Sequence, residues 1–501
     1  MLAVLLLTRF YVSAQEVFDS NFGESGISSL GYYTNPDVQF QGEDKIISLS
    51  SYMLEGTVHL NRLNLDGVLD ETFGNSGVFE NSGHTYGSEN LVLDSEGNIY
   101  FASNEGSTKI KVTKVTPDGI LDVSFGNSGH AEVLVTNVAD GLYITKVAID
   151  NNGKLIASGE YLNTTLNYER IIVARFNQDG SIDNTFGENG LFLNPEIPNE
   201  DYQRNSANPI ITPDNSIIVS GYVYTNDDNI GILTIKIKPD GTLDDTFADA
   251  GVYNTFLVDY SSVRAGVVKD DNSIVLCGGG NNTSSDFSGM ITKLSANGEL
   301  DTSFGNNGYG ECFNGGQDTI VTYYDAILVN DKILVTGDIL DLDSWARSTV
   351  ITKLNLDGTG DDSYGENGTM IISSPSDEKP SIRARAFTEK DDEFYFAGEL
   401  SNEDSQVQGI IYKLINQSTI VNSISKTDFA IYPNPASDFV HISSENIIES
   451  VSIYNATGQK IFEKTNTRDN CKISTSQYKK GVYLLKAKVN GNFTTTKLII
   501  E

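Results

Sequence analysis

The chain has 501 residues, with 68 acidic against 34 basic side chains, 46 glycines, three cysteines and one tryptophan. At roughly 100–200 residues per domain this length allows two to four domains, or one repeat array with an accessory piece, and 39% hydrophobic residues suffice for packed cores. A formal charge of −34 argues against nucleic acid and anionic membranes as partners, while Cys277, Cys312, Cys471 and four histidines are too few and scattered for a disulfide framework or a Cys/His zinc cluster.

Residues 2–7 read LAVLLL, and Val12-Ser13-Ala14 then precedes Gln15. A short apolar run followed by small residues predicts a secretory signal over 1–14. Its missing basic residues are what a start truncated upstream of Met1 would leave. A buried first strand is the other reading. The run is far below the ~20 residues needed to cross a bilayer, so no membrane span is expected here or elsewhere.

From residue 18 one sentence recurs: FDSNFGESG, LDETFGNSG, LDVSFGNSG, IDNTFGENG, LDDTFADAG, LDTSFGNNG and GDDSYGENG. Their aspartates, Asp19, Asp70, Asp122, Asp183, Asp244, Asp301 and Asp361, lie 51, 52, 61, 61, 57 and 60 residues apart. Such a period marks a repeat architecture. Before each later Asp runs a β-rich segment ending in Asp/Asn-Gly, such as ARFNQDG. After each F-G-x-x-G come a strand, a variable loop, a second strand and a tight turn into a third, as in VAIDNNGKLIASG. Hairpin signals of this kind predict about four strands per unit and no helix.

Four-stranded units in a ring make a β-propeller. Seven strand sets fit between residues 26 and 416. The last lacks a D-x-[ST]-F-G segment, and the N-terminal FDSNFGESG is that segment without strands before it. The two ends therefore complement each other, which favours a closed seven-bladed ring over a capped solenoid. The repeated Phe (Tyr364 in one unit) predicts a ring buried between blades, the glycines predict turns, and the Asp and Ser/Thr predict local backbone bonds. A calcium loop would need a different ligand spacing.

The D-G-x-[LI]-D-x-[ST]-F-G-x-x-G unit resembles the delta-60 repeat of bacterial secreted proteins, over roughly residues 18–416. Phe247-Ala248 and Gly360 depart from that pattern. The resemblance implies a fold and no mechanism.

A polar linker covers 417–428, and the texture changes from Phe429. Residues 429–501 hold nine Lys/Arg and six Asp/Glu, a net of +3, so residues 1–428 carry −37. Alternating apolar residues with Asn-Ala-Thr-Gly and Val-Asn-Gly turns predict a small antiparallel, Ig-like β-sandwich. Tyr432-Pro433-Asn434-Pro435, Ile453-Tyr454-Asn455 with Gly458, Gly481-Val482-Tyr483 and a terminal KLII resemble the type A C-terminal sorting domain of the Bacteroidetes type IX secretion system. That resemblance implies export by the type IX machinery to the outer cell surface or the medium.

No nucleophile elbow, P-loop or metal-spaced histidine set is present, so no catalytic residue and no resident cofactor is named. Alternate connections of an up-down blade share a face. The repeated tight turns and D-G…F-G-x-x-G connectors thus fall on one face, and the variable loops on the other, where binding surfaces are commonly built. Tyr86, Tyr161, Tyr202, Tyr323, Tyr324 and Trp345 are the candidate contacts for an extracellular glycan or protein ligand. Asp338, Asp341 and Asp343 are the candidate calcium ligands. The leading expectation is a non-enzymatic adhesion or binding module; the alternatives are a polysaccharide hydrolase or lyase using variable-face carboxylates, and a purely structural surface protein.

Overall fold

The computed structural model describes residues 11–13 and 18–500, apart from 32–33, 53–55, 82–89, 136–140, 164–167, 196–199, 206, 226–229, 256–260, 282–286, 314–317, 366, 374–380, 392, 402–406, 416–429, 445–446, 456–459, 466–469 and 490–491. The apolar run 2–7 lies outside the described residues. Strand and turn account for the described chain, with no helix in it. Contacts divide the chain into two compact units, 1–416 and 417–501.

The first unit is a seven-bladed β-propeller. Blade 1 holds strands Thr34–Gln41, Lys45–Tyr52, Thr57–Asn64 and Val78–Asn81, paired in that order. Blade 2 holds Leu91–Leu93, Ile99–Glu105, Lys109–Val115 and His130–Leu134; blade 3 holds Gly141–Ile149, Leu155–Asn163, Tyr168–Phe176 and Leu191–Leu193. In blade 4 the first strand is split into Glu200–Asn205 and Ile210–Ile211, followed by Ile217–Thr225, Ile230–Ile237 and Val252–Thr255. Blade 5 has Ser261–Val268, Ile274–Asn281 and Phe287–Leu294, with its fourth position held by a bridge from Tyr309 to Thr292. Blade 6 has Thr319–Val329, Lys332–Asp341, Arg347–Asn355 and Thr369–Ser373, the last also pairing in parallel with Tyr11–Ser13.

Blade 7 is built from both ends of the unit. Its strands Ser381–Lys390, Glu393–Ser401 and Val407–Lys413 are completed by Ile27–Gly31, with Ile27 opposite Tyr412. The first strand of each blade touches the first strand of the next, and Ser381–Lys390 touches Thr34–Gln41, so these strands form a closed inner ring. Such a ring surrounds the central channel of a propeller.

The repeated aromatic is the wedge between blades. Phe22, Phe73, Phe125, Phe186, Phe247, Phe304 and Tyr364 are all buried, each burial stabilising by about 2–3 kcal/mol. Small β-branched residues along the strands, such as Ile171, Ile172 and Val173, fill both faces of a blade because each is covered by a neighbour.

The second unit is a β-sandwich. One sheet runs Ala430–Tyr432, Phe439–Ser443, Asn470–Ser474; the other runs Lys460–Thr465, Ile448–Tyr454, Gly481–Val489, Asn492–Ile500. Val440, Ile442, Val451, Ile453, Leu485, Ala487 and Leu498 form its core. Tyr483 is buried and its hydroxyl donates to the Lys479 carbonyl (2.7 Å), while Ile499 N–H donates to Asn434 Oδ1 (2.8 Å). Tyr432 is exposed, Pro433 and Pro435 both follow cis bonds, and Gly458 lies outside the described residues.

Candidate functional site

The repeated segment is consumed by the architecture. Its Asp accepts the N–H and hydroxyl of the Ser/Thr two residues on, as Asp183 does from Thr185 (3.1 and 2.6 Å). Its other oxygen meets the basic residue near the end of the preceding strand: Arg62–Asp70 (2.9 Å), Lys114–Asp122 (2.9 Å), Arg175–Asp183 (2.7 Å), Lys236–Asp244 (3.0 Å) and Lys293–Asp301 (2.8 Å). The same pair in blade 7 joins the two ends of the unit, Lys413 to Asp19 at 3.0 Å. Burial pushes the Asp183 carboxyl up, but Lys154, Thr185 and Arg175 outweigh it and hold the group below the usual range. Lys293 and Ser303 hold Asp301 down at about 2.

The same segment latches blade to blade. Gly23, Gly74, Gly126, Gly187, Ala248 and Gly305 donate their N–H to the carbonyls of Asp66, Asp118, Asp179, Asp240, Asn297 and Asp357 in the next unit, at 2.6–2.8 Å. A side chain on the following glycine would collide: a Cβ on Gly241 would lie 2.1 Å from the Gly187 nitrogen. Ala248 fills a glycine position at φ 45°, in the left-handed region.

On the inner ring a different pattern appears. In blades 3, 5, 6 and 7 the first strand bulges by one residue, at Ile144/Lys146, Val263/Ala265, Tyr323/Asp325 and Ala384/Ala386. Opposite each bulge stands a glycine of the second strand, Gly159, Gly278, Gly337 and Gly398, where a Cβ would lie 1.9–2.1 Å from a first-strand carbonyl oxygen. A bulge re-aims side chains. Polar groups at the inner strands also stitch adjacent blades. Asp37 accepts from Val38 N–H (2.7 Å) and from Leu91 N–H of blade 2 (2.8 Å). Asn90 accepts from Val147 N–H of blade 3 and donates to its carbonyl, both at 2.7 Å. Asp325 accepts from Ala326 N–H (2.8 Å) and from Phe387 N–H of blade 7 (3.0 Å).

Burial raises both carboxyls, Asp37 to about 6 and Asp325 to about 7; the Asp37 charge raises Asp325 further, and Lys146 lowers both. Asp37, Lys146 and Asp325 come from blades 1, 3 and 6, so the ring brings together groups nearly 290 residues apart in sequence.

The sequence-derived candidates are dispersed. Tyr86 lies outside the described residues, and Tyr202 sits on the first strand of blade 4 with its side chain outside them. Tyr161 is buried at 9% exposure inside a blade, not presented on a loop. Tyr323 is a correction: it is fully buried, its hydroxyl sharing a hydrogen bond with Thr352 Oγ1 at 2.7 Å. Tyr324, one residue on, lies in the bulge and retains water-accessible surface beneath the Arg385 guanidinium, 4.5 Å from its ring centroid. Trp345 is 71% exposed at φ 60° in a turn on the variable face.

The proposed calcium triad is also corrected. Asp338 is buried and ion-paired with Arg347. Asp341 is spent on its own turn, accepting from the N–H groups of Asp343 (3.1 Å) and Ser344 (2.8 Å), while Asp343 points into solvent. Among the described residues no group of three His, Cys, Asp or Glu side chains is placed to hold a metal ion.

The candidate positions that sequence reasoning missed are those of the inner ring. Their signal was present as the recurrent Gly of the second strand (IASG, LCGG, LVTG, YFAG), since a glycine inside a strand often marks a bulge or a close backbone approach.

Residues 430–501 match the family described as a secretion system C-terminal sorting domain. Residues 151–186 and 212–247 match a domain of unknown function, DUF5122, described as a β-propeller. Beta-agarase A of Zobellia galactanivorans is 36% identical over 85 residues, 17% of this chain and 15% of that protein. An endo-acting ulvan lyase of Formosa agariphila is 37% identical over 83 residues, 16% of each. The chain thus spans about a sixth of the curated relatives it matches. Among solved structures, PorZ of the Porphyromonas gingivalis type IX secretion system aligns at 11% identity and a TM-score of 0.36, covering 98% of this chain and 60% of that one.

Proposed function

We propose that this chain, a DUF5122-type β-propeller followed by a type IX secretion sorting domain and so exported to the cell surface or the medium, is a non-enzymatic module that binds an extracellular glycan on its variable face. Latches and ion pairs consume the opposite face. The observation that supports binding is Trp345, an indole held 71% exposed on a turn fixed by Asp341 and by Leu342 N–H donating to the Asp318 carbonyl (2.8 Å). Aromatic faces stacked on sugars bury apolar area at little entropic cost.

A glycan array on the purified full chain, followed by a reducing-sugar assay on each hit, tests this. Binding without product formation is expected, with Trp345→Ala losing signal. Silence in both assays would leave a structural surface protein instead.

A polysaccharide-acting enzyme is the second reading, favoured by Asp37 and Asp325, whose carboxyls titrate near neutrality at about 6 and about 7. Against it, each of these carboxylates is already engaged by two backbone N–H donors. Product formation that disappears in Asp325→Asn would establish the enzyme.

A further inference from the structure

The chain has ten arginines. Arg62 and Arg175 serve the repeated ion pairs. Five others, Arg204, Arg264, Arg347, Arg383 and Arg385, gather in blades 4 to 7 toward the variable-face half. Their ion-paired carboxylates among the described residues are three: Glu169 with Arg204, Asp338 with Arg347, and Glu399 shared by Arg383 and Arg385. These guanidinium groups sit in a chain of net −34, with Glu160 near Arg204 and Tyr222 and with Asp325 next to Tyr324.

Three consecutive blades place Arg264, Tyr324 and Arg385 at one structural position, the extra residue of the inner-strand bulge. Arg385 covers the Tyr324 ring at 4.5 Å, and Arg264 lies 5.5 Å from the Tyr222 ring of blade 4, itself packed edge-on to Tyr224 at 5.7 Å. Arg264 meets no carboxylate within ion-pair distance among the described residues. Its Nε is enclosed and makes no hydrogen bond. An enclosed guanidinium donor left unmade costs free energy that a ligand's oxygens would recover. Each guanidinium is a planar fork matched to a carboxylate or sulfate, and each has a tyrosine ring within cation–π distance.

We propose that the Arg264–Tyr324–Arg385 constellation on the inner ring recognises an anionic sugar, a uronate carboxylate or a sulfate ester on a polysaccharide. The proposal rests on reading the propeller as a glycan-binding module and names the class of glycan. The −34 net charge does not oppose it at contact range. Charges beyond a Debye length of about 10 Å at 0.1 M salt are screened, and the local groups decide the sign.

Isothermal titration of the full chain at 0.1 M salt tests it, with oligogalacturonate as the carboxylate probe, a chondroitin sulfate oligosaccharide as the sulfate probe and a cello-oligosaccharide as the neutral one. At least one anionic probe is expected to bind and the neutral one not. Arg264→Gln should weaken binding about tenfold or more, and Arg264→Lys less. Thermal melting of both variants confirms folding, and Tyr324→Ala probes the same spot from the next blade. Binding of the neutral probe alone, or anionic binding indifferent to both Arg264→Gln and Tyr324→Ala, overturns this inference while leaving glycan binding in place. No binding to any of the three overturns the inference, and a glycan array that is also silent removes the broader reading.

Discussion

Asp325→Asn turns the polar stitch between blades 6 and 7 into a measurement. In the native protein burial raises the Asp325 carboxyl from 3.8 to about 7. A carboxyl raised on folding binds its proton more tightly in the folded state. Stability is therefore full below pH 3.8 and declines as pH rises, until the group is ionised in both states above pH 7. With those two values the decline from pH 5 to pH 8 is on the order of 2–3 kcal/mol. Asparagine has no such titration, and Asn90 shows that an amide can stitch blades 2 and 3, there by accepting one N–H and donating to the carbonyl of the same residue. The variant should thus lose at pH 5, where one N–H acceptor geometry is sacrificed, by about 1 kcal/mol. At pH 8 it should be the more stable protein. Urea unfolding of both proteins at the two pH values, read as midpoints with unchanged slopes, gives the crossing directly. Equal native and variant differences between pH 5 and pH 8 would refute the assignment of the pH response to this carboxyl.

Gly337→Ala forces a methyl against the Thr322 carbonyl, 1.9 Å away; overpacking should cost about 1–3 kcal/mol, seen as a lower urea midpoint. Asp183→Ala strands two cations, Arg175 and Lys154, and should cost about 3–5 kcal/mol at pH 7. Because the Asp183 carboxyl is lowered on folding, that difference should shrink as pH falls below about 4, which acid melts would follow. Ala248→Gly releases a left-handed alanine at φ 45° and should raise stability by about 0.5–1 kcal/mol, measured by calorimetry.

The repeated units were legible because each uses the same residues for the same latch, so seven blades, their strand sets and the ring closed from both ends follow from spacing alone. The buried Phe22, Phe73 and Phe125 were legible for the same reason. The inner ring was not. Its residues share a position and differ in kind, Lys146, Ala265, Asp325 and Ala386 being equivalent, so no motif accumulates. The bulge also defeats alternation: Tyr323 and Tyr324 read alike on paper, yet one is fully buried against Thr352 and the other lies beside Arg385. Likewise Asp338, Asp341 and Asp343 read as a ligand triad, and only the fold shows Arg347 folded back onto the first of them.

Blade 7 also determines how the molecule carries force. A pull applied at residue 416 runs first into Val407–Lys413, which is hydrogen-bonded along one edge to Glu393–Ser401 and along the other to Ile27–Gly31. Because antiparallel ladder bonds lie perpendicular to the strands, tension along this strand loads both rows in shear at once instead of opening them one by one. The Lys413–Asp19 ion pair stands at the end where the load enters. The closing pairing therefore doubles as a mechanical clamp, and removing Ile27–Gly31 would leave the row to Glu393–Ser401 to bear the whole shear alone.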